Sequence, residues 1–302
     1  MEDRIISLNG HDTRVIVGGS DGPAILMLHG FPEHAGGWRP LIAKLADRHQ
    51  CFAPDQRGYG TSYRPDGVEN YTTGKIVKDL LGLIETLDLD RVHIVGHDWG
   101  AATAYGLGFS ADPRIASLTI LNGVHPVLFQ RELAKGEDQA AASQYMTWLR
   151  RPDSHEKLAA NNFEKLASFF AHGMDMSWLT GATLEEYRAA WGGPDRGVET
   201  VNAMVNWYRA SPLVVPETGK ALHQEDLPAL PQERLRVKVP HMLIWGMGDT
   251  ALLPGSREGL EDFCDAGLEV HEINYADHWV VHQQPAKCAE LLAGFVARVD
   301  AG

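Results

Sequence analysis

The chain has 302 residues, 44% of them hydrophobic and 22% charged, with a formal net charge of -13. That balance is ordinary for a folded globular protein and excludes a disordered or fibrous chain, while the acid surplus argues against nucleic acid or an anionic membrane as partner. Cys51, Cys264 and Cys288 are odd in number and widely spaced, so neither a disulfide framework nor a zinc site is expected. The start, Met1-Glu2-Asp3-Arg4, lacks an apolar signal core and no stretch reaches the length of a membrane-spanning helix, which makes a reduced cytoplasm the expected compartment.

Residues 4–8 and 13–17 alternate apolar and polar side chains around Asn9-Gly10-His11-Asp12 and predict an opening β-hairpin. Ala24-Ile25-Leu26-Met27-Leu28 is continuously apolar, as in a strand covered on both faces of a parallel sheet, and runs into His29-Gly30-Phe31-Pro32-Glu33. A helix is predicted over 37–47, then a strand ending at Asp55 and a Gly-rich turn, Gln56-Arg57-Gly58-Tyr59-Gly60. A helix over 73–87, a strand from Val92 into Asp98, a helix to about 110 and a strand over 116–121 continue the alternation that defines a parallel α/β sheet. From about 124 to 235 the pattern is helical and holds four of the eight tryptophans, which predicts an inserted cap. The core is thus expected from 1–123 and 236–302, with the strand His241-Met242-Leu243-Ile244-Trp245-Gly246, a helix over 256–265, a strand over 268–275 and a last helix over 285–299.

Chemistry concentrates at strand ends. Gly96-His97-Asp98-Trp99-Gly100 has the small-any-nucleophile-any-small spacing of a nucleophile elbow, in which glycines let strand and helix approach while the central residue is pushed outward. An aspartate there is already ionised near neutrality and is suited to displacement at tetrahedral carbon, with an alkyl ester as intermediate. An isolated Asp before Trp-Gly-Ala-Ala also fits a helix N-cap, so partners elsewhere must decide. Asp249, in Gly246-Met247-Gly248-Asp249-Thr250, and His278, in Ala276-Asp277-His278-Trp279, fall at later strand ends, where open parallel sheets gather ligands. The order nucleophile, acid, histidine is that of a hydrolase triad. His282 competes with His278 for the base but lies farther past the strand.

With His29-Gly30-Phe31-Pro32, His97-Asp98-Trp99-Gly100, Asn206-Trp207-Tyr208-Arg209 and Asp277-His278-Trp279, the chain resembles the α/β-hydrolase fold, and within it the epoxide hydrolases, over nearly its whole length. The resemblance implies Tyr208 and Tyr145 as acids at the epoxide oxygen, an oxyanion hole from the N–H groups of Phe31 and Trp99, and a cis bond into Pro32. It also implies Glu33 and His97 as holders of the hydrolytic water. The expected substrate is a small apolar epoxide, with the cap aromatics Trp148, Phe169, Phe170, Trp178 and Trp207 suggesting an apolar pocket. Haloalkane dehalogenases share the Asp elbow, and Trp99 would serve as halide donor, so that activity stays open. A low-turnover binding protein on the same scaffold is a third reading. No cofactor or metal is implied, for no ligand cluster or dinucleotide fingerprint is present.

Overall fold

The computed structural model describes every residue except Phe170 and His172, and the main chain alone of Phe169. The expected pocket aromatic Phe170 therefore lies outside the described residues, as does the side chain of Phe169.

The chain opens with β1 (Glu2–Leu8) and β2 (His11–Gly18), followed by β3 (Ala24–Leu28), α1 (Arg39–Leu45) and β4 (Gln50–Pro54). The hairpin turn is tighter than expected. Leu8 pairs with His11, and Asn9 and Gly10 alone make the loop, with φ of 53° and 81°. Two successive positive φ values define a type I′ turn, whose twist matches that of the strands and for which Asn-Gly is the preferred pair. Next come α2 (Thr73–Thr86), β5 (Val92–His97), α3 (Trp99–Phe109) and β6 (Ile115–Leu121).

Between β6 and the next strand the described elements are helical: α4 (Pro126–Ala134), α5 (Asp138–Ala142), α6 (Gln144–Leu149), α7 (Ser154–Phe169), α8 (Gly181–Ala190) and α9 (Gly193–Ala210). The sheet then resumes with β7 (His241–Gly246) and β8 (Leu268–Ile273), and the chain closes with α10 (Val280–Gln283) and α11 (Pro285–Ala301). The helix expected over 256–265 is absent. Two 3₁₀ turns, Pro254–Arg257 and Leu260–Phe263, stand there, because Gly259 takes φ of 80° and interrupts the helical run.

Among the described residues the strands form one sheet in the order β1-β2-β4-β3-β5-β6-β7-β8, parallel from β4 to β8 and antiparallel at the β1 and β2 edge. The run Ala24–Leu28 is buried throughout, with Leu26 and Leu28 in the core beneath α2, α3 and the helical insertion, and Ile25 and Met27 in the core beneath α1 and α11. Coverage of both faces is why that strand tolerates no polar residue. The chain passes from β3 to β4 on one side and returns across β3 to β5 on the other. That reversal opens a crevice at the carboxyl ends of β3 and β5, where ligands of open α/β sheets bind. No helix among the described residues is long and apolar enough to cross a membrane.

Candidate active site

Asp98 stands between β5 and α3 with φ of 51° and ψ of -120°. A non-glycine residue there is strained by roughly 1–3 kcal/mol, a cost found where surrounding packing over-determines a reactive side chain. The packing is visible at the glycines around it. A Cβ on Gly100 would stand 1.9 Å from the Leu28 carbonyl oxygen, and one on Gly30 would stand 2.4 Å from Asp98 Cβ. Helix α3 thus lies directly on the end of β3. Asp98 makes no side-chain cap bond to its own helix, which removes the capping interpretation. Its Oδ1 instead accepts the Phe31 N–H at 2.7 Å. Burial raises the Asp98 pKa, against the pull of His278, His97 and the N–H groups of Phe31 and Trp99. The Phe31–Pro32 peptide is cis.

His278 lies between two carboxylates. Its Nδ1 meets Asp249 Oδ2 at 2.8 Å, and its Nε2 lies 3.6 Å from Asp98 Oδ2. Burial alone would depress the imidazole, but Asp249, then Asp98 and Glu33, outweigh it and push the pKa up to about 9. Asp249 is held below the usual carboxylate range; burial works against this, and His278, the Leu252 N–H and the Asn122 amide carry it. Its Oδ1 accepts the Ala251 and Leu252 N–H groups at 2.8 and 2.9 Å. His282 sits elsewhere, with Nε2 2.7 Å from Glu33 Oε1 and its ring stacked on Trp178 at 3.7 Å.

Asn122 was missed by sequence reasoning. It follows β6, is fully buried and donates to Asp249 Oδ2 at 2.8 Å, while its Oδ1 accepts the Gly246 N–H at 2.8 Å. A lone Asn after an apolar strand reads as a turn residue, and nothing local in the sequence marks its partner.

Tyr145 on α6 and Tyr208 on α9 line one cavity with Asp98, their ring centroids 6.2 Å apart. The cavity measures about 340 Å³, within the range of small-molecule sites. Burial, then the neighbouring Tyr145 and Asp98, raises the Tyr208 hydroxyl well above its ordinary pKa, while a hydrogen bond with the Trp99 side chain pulls the other way. Burial likewise raises Tyr145, with the Asp98 and Asp249 charges adding to it. Arg150 ties the two helices together, donating to the Tyr208 and Leu213 carbonyl oxygens, each at 2.9 Å. Of the expected cap aromatics, Trp148, Trp178 and Trp207 do not line this cavity; Trp99, Phe109 and Phe129 do. Trp207 faces the core instead, donating to the Arg57 carbonyl at 3.0 Å.

Glu33 and His97 stand close to Asp98 and His278, each held by several contacts within the protein. His97 Nδ1 meets Glu33 Oε2 at 2.7 Å, and its Nε2 meets the His278 carbonyl oxygen at 2.8 Å. Glu33 Oε1 takes His282 and the Tyr187 hydroxyl, the latter at 3.2 Å, and Oε2 also takes the Gly30 N–H at 3.3 Å. Four contacts fill the lone pairs of a carboxylate, and both imidazole nitrogens are used. Burial opposes ionisation of Glu33, but His97 and His282 carry it well below its ordinary pKa. The pair braces the main chain that carries His278.

Residues 23–285 match the model of the alpha/beta hydrolase fold family. A protein of Bacillus subtilis named AB hydrolase superfamily protein YfhM is 30% identical over 97% of either chain. A solved structure described as one of the epoxide hydrolases from metagenomes of hot environments superposes with a TM-score of 0.87, at 32% identity over 98% of both chains. That of Bacillus megaterium epoxide hydrolase in complex with an inhibitor gives 0.85, at 28% identity over 97% of this chain and 100% of the other. The chain belongs to the α/β-hydrolase fold family, in its epoxide hydrolase branch.

Proposed function

We propose that this protein hydrolyses epoxides to vicinal diols through a covalent ester on Asp98, with residues 124–235 forming the cap over the site. One observation carries the reading: Asp98, Tyr145 and Tyr208 line a single cavity, with His278 and Asp249 aligned behind Asp98. The epoxide hydrolases among the similar structures support it.

Asp98 Oδ2 attacks a ring carbon, the carbon–oxygen bond of the epoxide breaks, and the ring oxygen takes a proton from Tyr145 or Tyr208. Water then loses a proton to His278 as its oxygen adds to the ester carbon. The oxygen that becomes negative is Oδ1, the atom already facing the Phe31 N–H, with the Trp99 N–H beside it at the start of α3. Collapse releases the diol, and the protons on His278 and in the hydroxyl pair rebalance. The electrostatics time the base. Free Asp98 helps hold His278 protonated; esterification removes that negative charge and lowers the imidazole pKa, so the ring passes its proton to the phenolate left by ring opening and is neutral when water must be activated.

Halide loss would need N–H donors aimed at the leaving group, whereas the Trp99 side chain is engaged with the Tyr208 hydroxyl. That contact favours the epoxide over the haloalkane reading. A single turnover of 1,2-epoxyoctane in heavy-oxygen water tests the mechanism. The first diol should be unlabelled and the label should enter Asp98; label passing directly into the diol would leave Asp98 a base and not a nucleophile.

A further inference from the structure

The cavity is not a compact chamber around Asp98, and its shape narrows the substrate class. Along α3, residues 101–109 are buried except at Ala102, Gly106 and Phe109. With Trp99 these three line the cavity, and their spacing puts them on one face of the helix. They form a floor from the nucleophile to Phe109, about 16 Å long at the helical rise. Its middle is nearly without side chain. Gly106 lies against α2, where a Cβ would stand 2.5 Å from Val77 Cγ2, so one wall is set by that valine.

The two ends differ. Around Asp98 the lining is closed by Phe129, Met146, Tyr208 and Leu252, all buried, whereas Gly74 and Pro212 are exposed and form a rim. Apart from Asp98, no charged residue and no histidine lines the cavity among the described residues. A carboxylate or ammonium drawn inside would lose its hydration without a partner.

We infer that the α3 trough holds an uncharged, unbranched apolar chain attached to the epoxide, so that the protein acts on epoxides of long neutral alkyl or alkyl-aryl chains. The inference rests on the epoxide reading and adds to it the arm beyond the ring. Extended chains of roughly twelve to thirteen carbons, the epoxide carbons included, match the floor of about 16 Å.

The test compares 1,2-epoxybutane, 1,2-epoxydodecane and a 1,2-epoxide of the dodecane length ending in a carboxylate. The unmodified protein should favour epoxydodecane over epoxybutane in kcat/KM by at least tenfold, and over the carboxylate chain by a similar margin. Ala102→Leu, which fills the floor, should cut the long-to-short ratio at least tenfold. Gly74→Phe, placed where a Cβ meets nothing within 4 Å, should lower the same ratio from the rim without crowding the fold. A flat chain-length profile, a carboxylate chain used as well as the neutral one, or ratios unmoved in both variants would overturn the trough as the chain site while leaving epoxide hydrolysis standing. Absence of turnover on every epoxide would overturn both.

Discussion

Asn122 donates its side-chain amide to Asp249 Oδ2, the same oxygen that His278 Nδ1 meets, and its main-chain carbonyl accepts the Asp98 N–H at 3.3 Å. One buried residue thus spans Asp98 and Asp249. Replacing it by Leu removes a donor from a buried carboxylate and leaves the Gly246 N–H without its side-chain acceptor. We predict a stability loss of about 1–3 kcal/mol and ester cleavage slowed roughly fivefold to tenfold. Thermal unfolding and rapid-quench kinetics report the two separately. A variant with unchanged melting and unchanged cleavage would show the bridge to be idle.

The strained backbone at Asp98 predicts an opposition between stability and activity. Asp98→Gly relieves the positive φ and removes a largely buried carboxylate. Turnover should vanish while the melting temperature rises by roughly 2–4 °C, equivalent to about 1–2 kcal/mol in a chain of this size. Calorimetry decides it; a lower melting temperature would mean that the Phe31 contact outweighs the strain.

Tyr145 and Tyr208 are the acids we propose in the cavity, and replacing both by Phe keeps ring volume. Epoxide opening in a single turnover should slow roughly a hundred- to ten-thousand-fold, with little change in unfolding. Burst kinetics measure the step directly. Loss of less than tenfold would reduce both tyrosines to packing.

Three buried histidines that do not line the cavity set the acid limit of the fold. Burial depresses His34, His125 and His241 from an ordinary 6.5 to about 4, in each case outweighing any favourable neighbour. Unfolding lets each take up a proton more readily, so their contribution is present above pH 6.5 and lost as pH falls from 6.5 to 4. His278 has the opposite sign: raised to about 9, it contributes fully below 6.5 and loses that contribution as pH climbs from 6.5 to 9. Urea midpoints should therefore fall on both sides, steeply below 6.5 where three groups act together. His241→Gln should flatten the acid limb; an unaltered limb would assign it to the carboxylates.

The sheet was legible because parallel strands buried on two faces leave unbroken apolar runs, as in Ala24–Leu28 and His241–Gly246. Asp98 and Asp249 were marked by following such runs, whereas His278 follows the alternating, half-exposed β8 and was marked by its place in the order nucleophile, acid, histidine. Contacts that join distant strand ends left no local trace. Asn122 reaches Asp249 across 127 positions, and Tyr187 reaches Glu33 across 154. The occupied lone pairs of Glu33 were likewise invisible, since the sequence offers an acid but not its count of donors. The aromatic content of the cap misled in one respect: Trp207 and Trp178 pack against the core and His282, and the cavity takes its rings from α3 and α4 as well.

Two indoles of the helical insertion are fastened to the core, Trp191 Nε1 to the Pro32 carbonyl at 2.6 Å and Trp207 Nε1 to the Arg57 carbonyl at 3.0 Å. The acceptors lie just past β3 and β4. Lifting the insertion as a rigid lid would strip both N–H groups of their acceptors in a buried setting, each loss costing about 1–3 kcal/mol. Traffic through the rim avoids that cost. The same pair makes an internal optical gauge: indole emission shifts to the red when these two rings meet water, so it would distinguish opening of the insertion from a substrate threading past it.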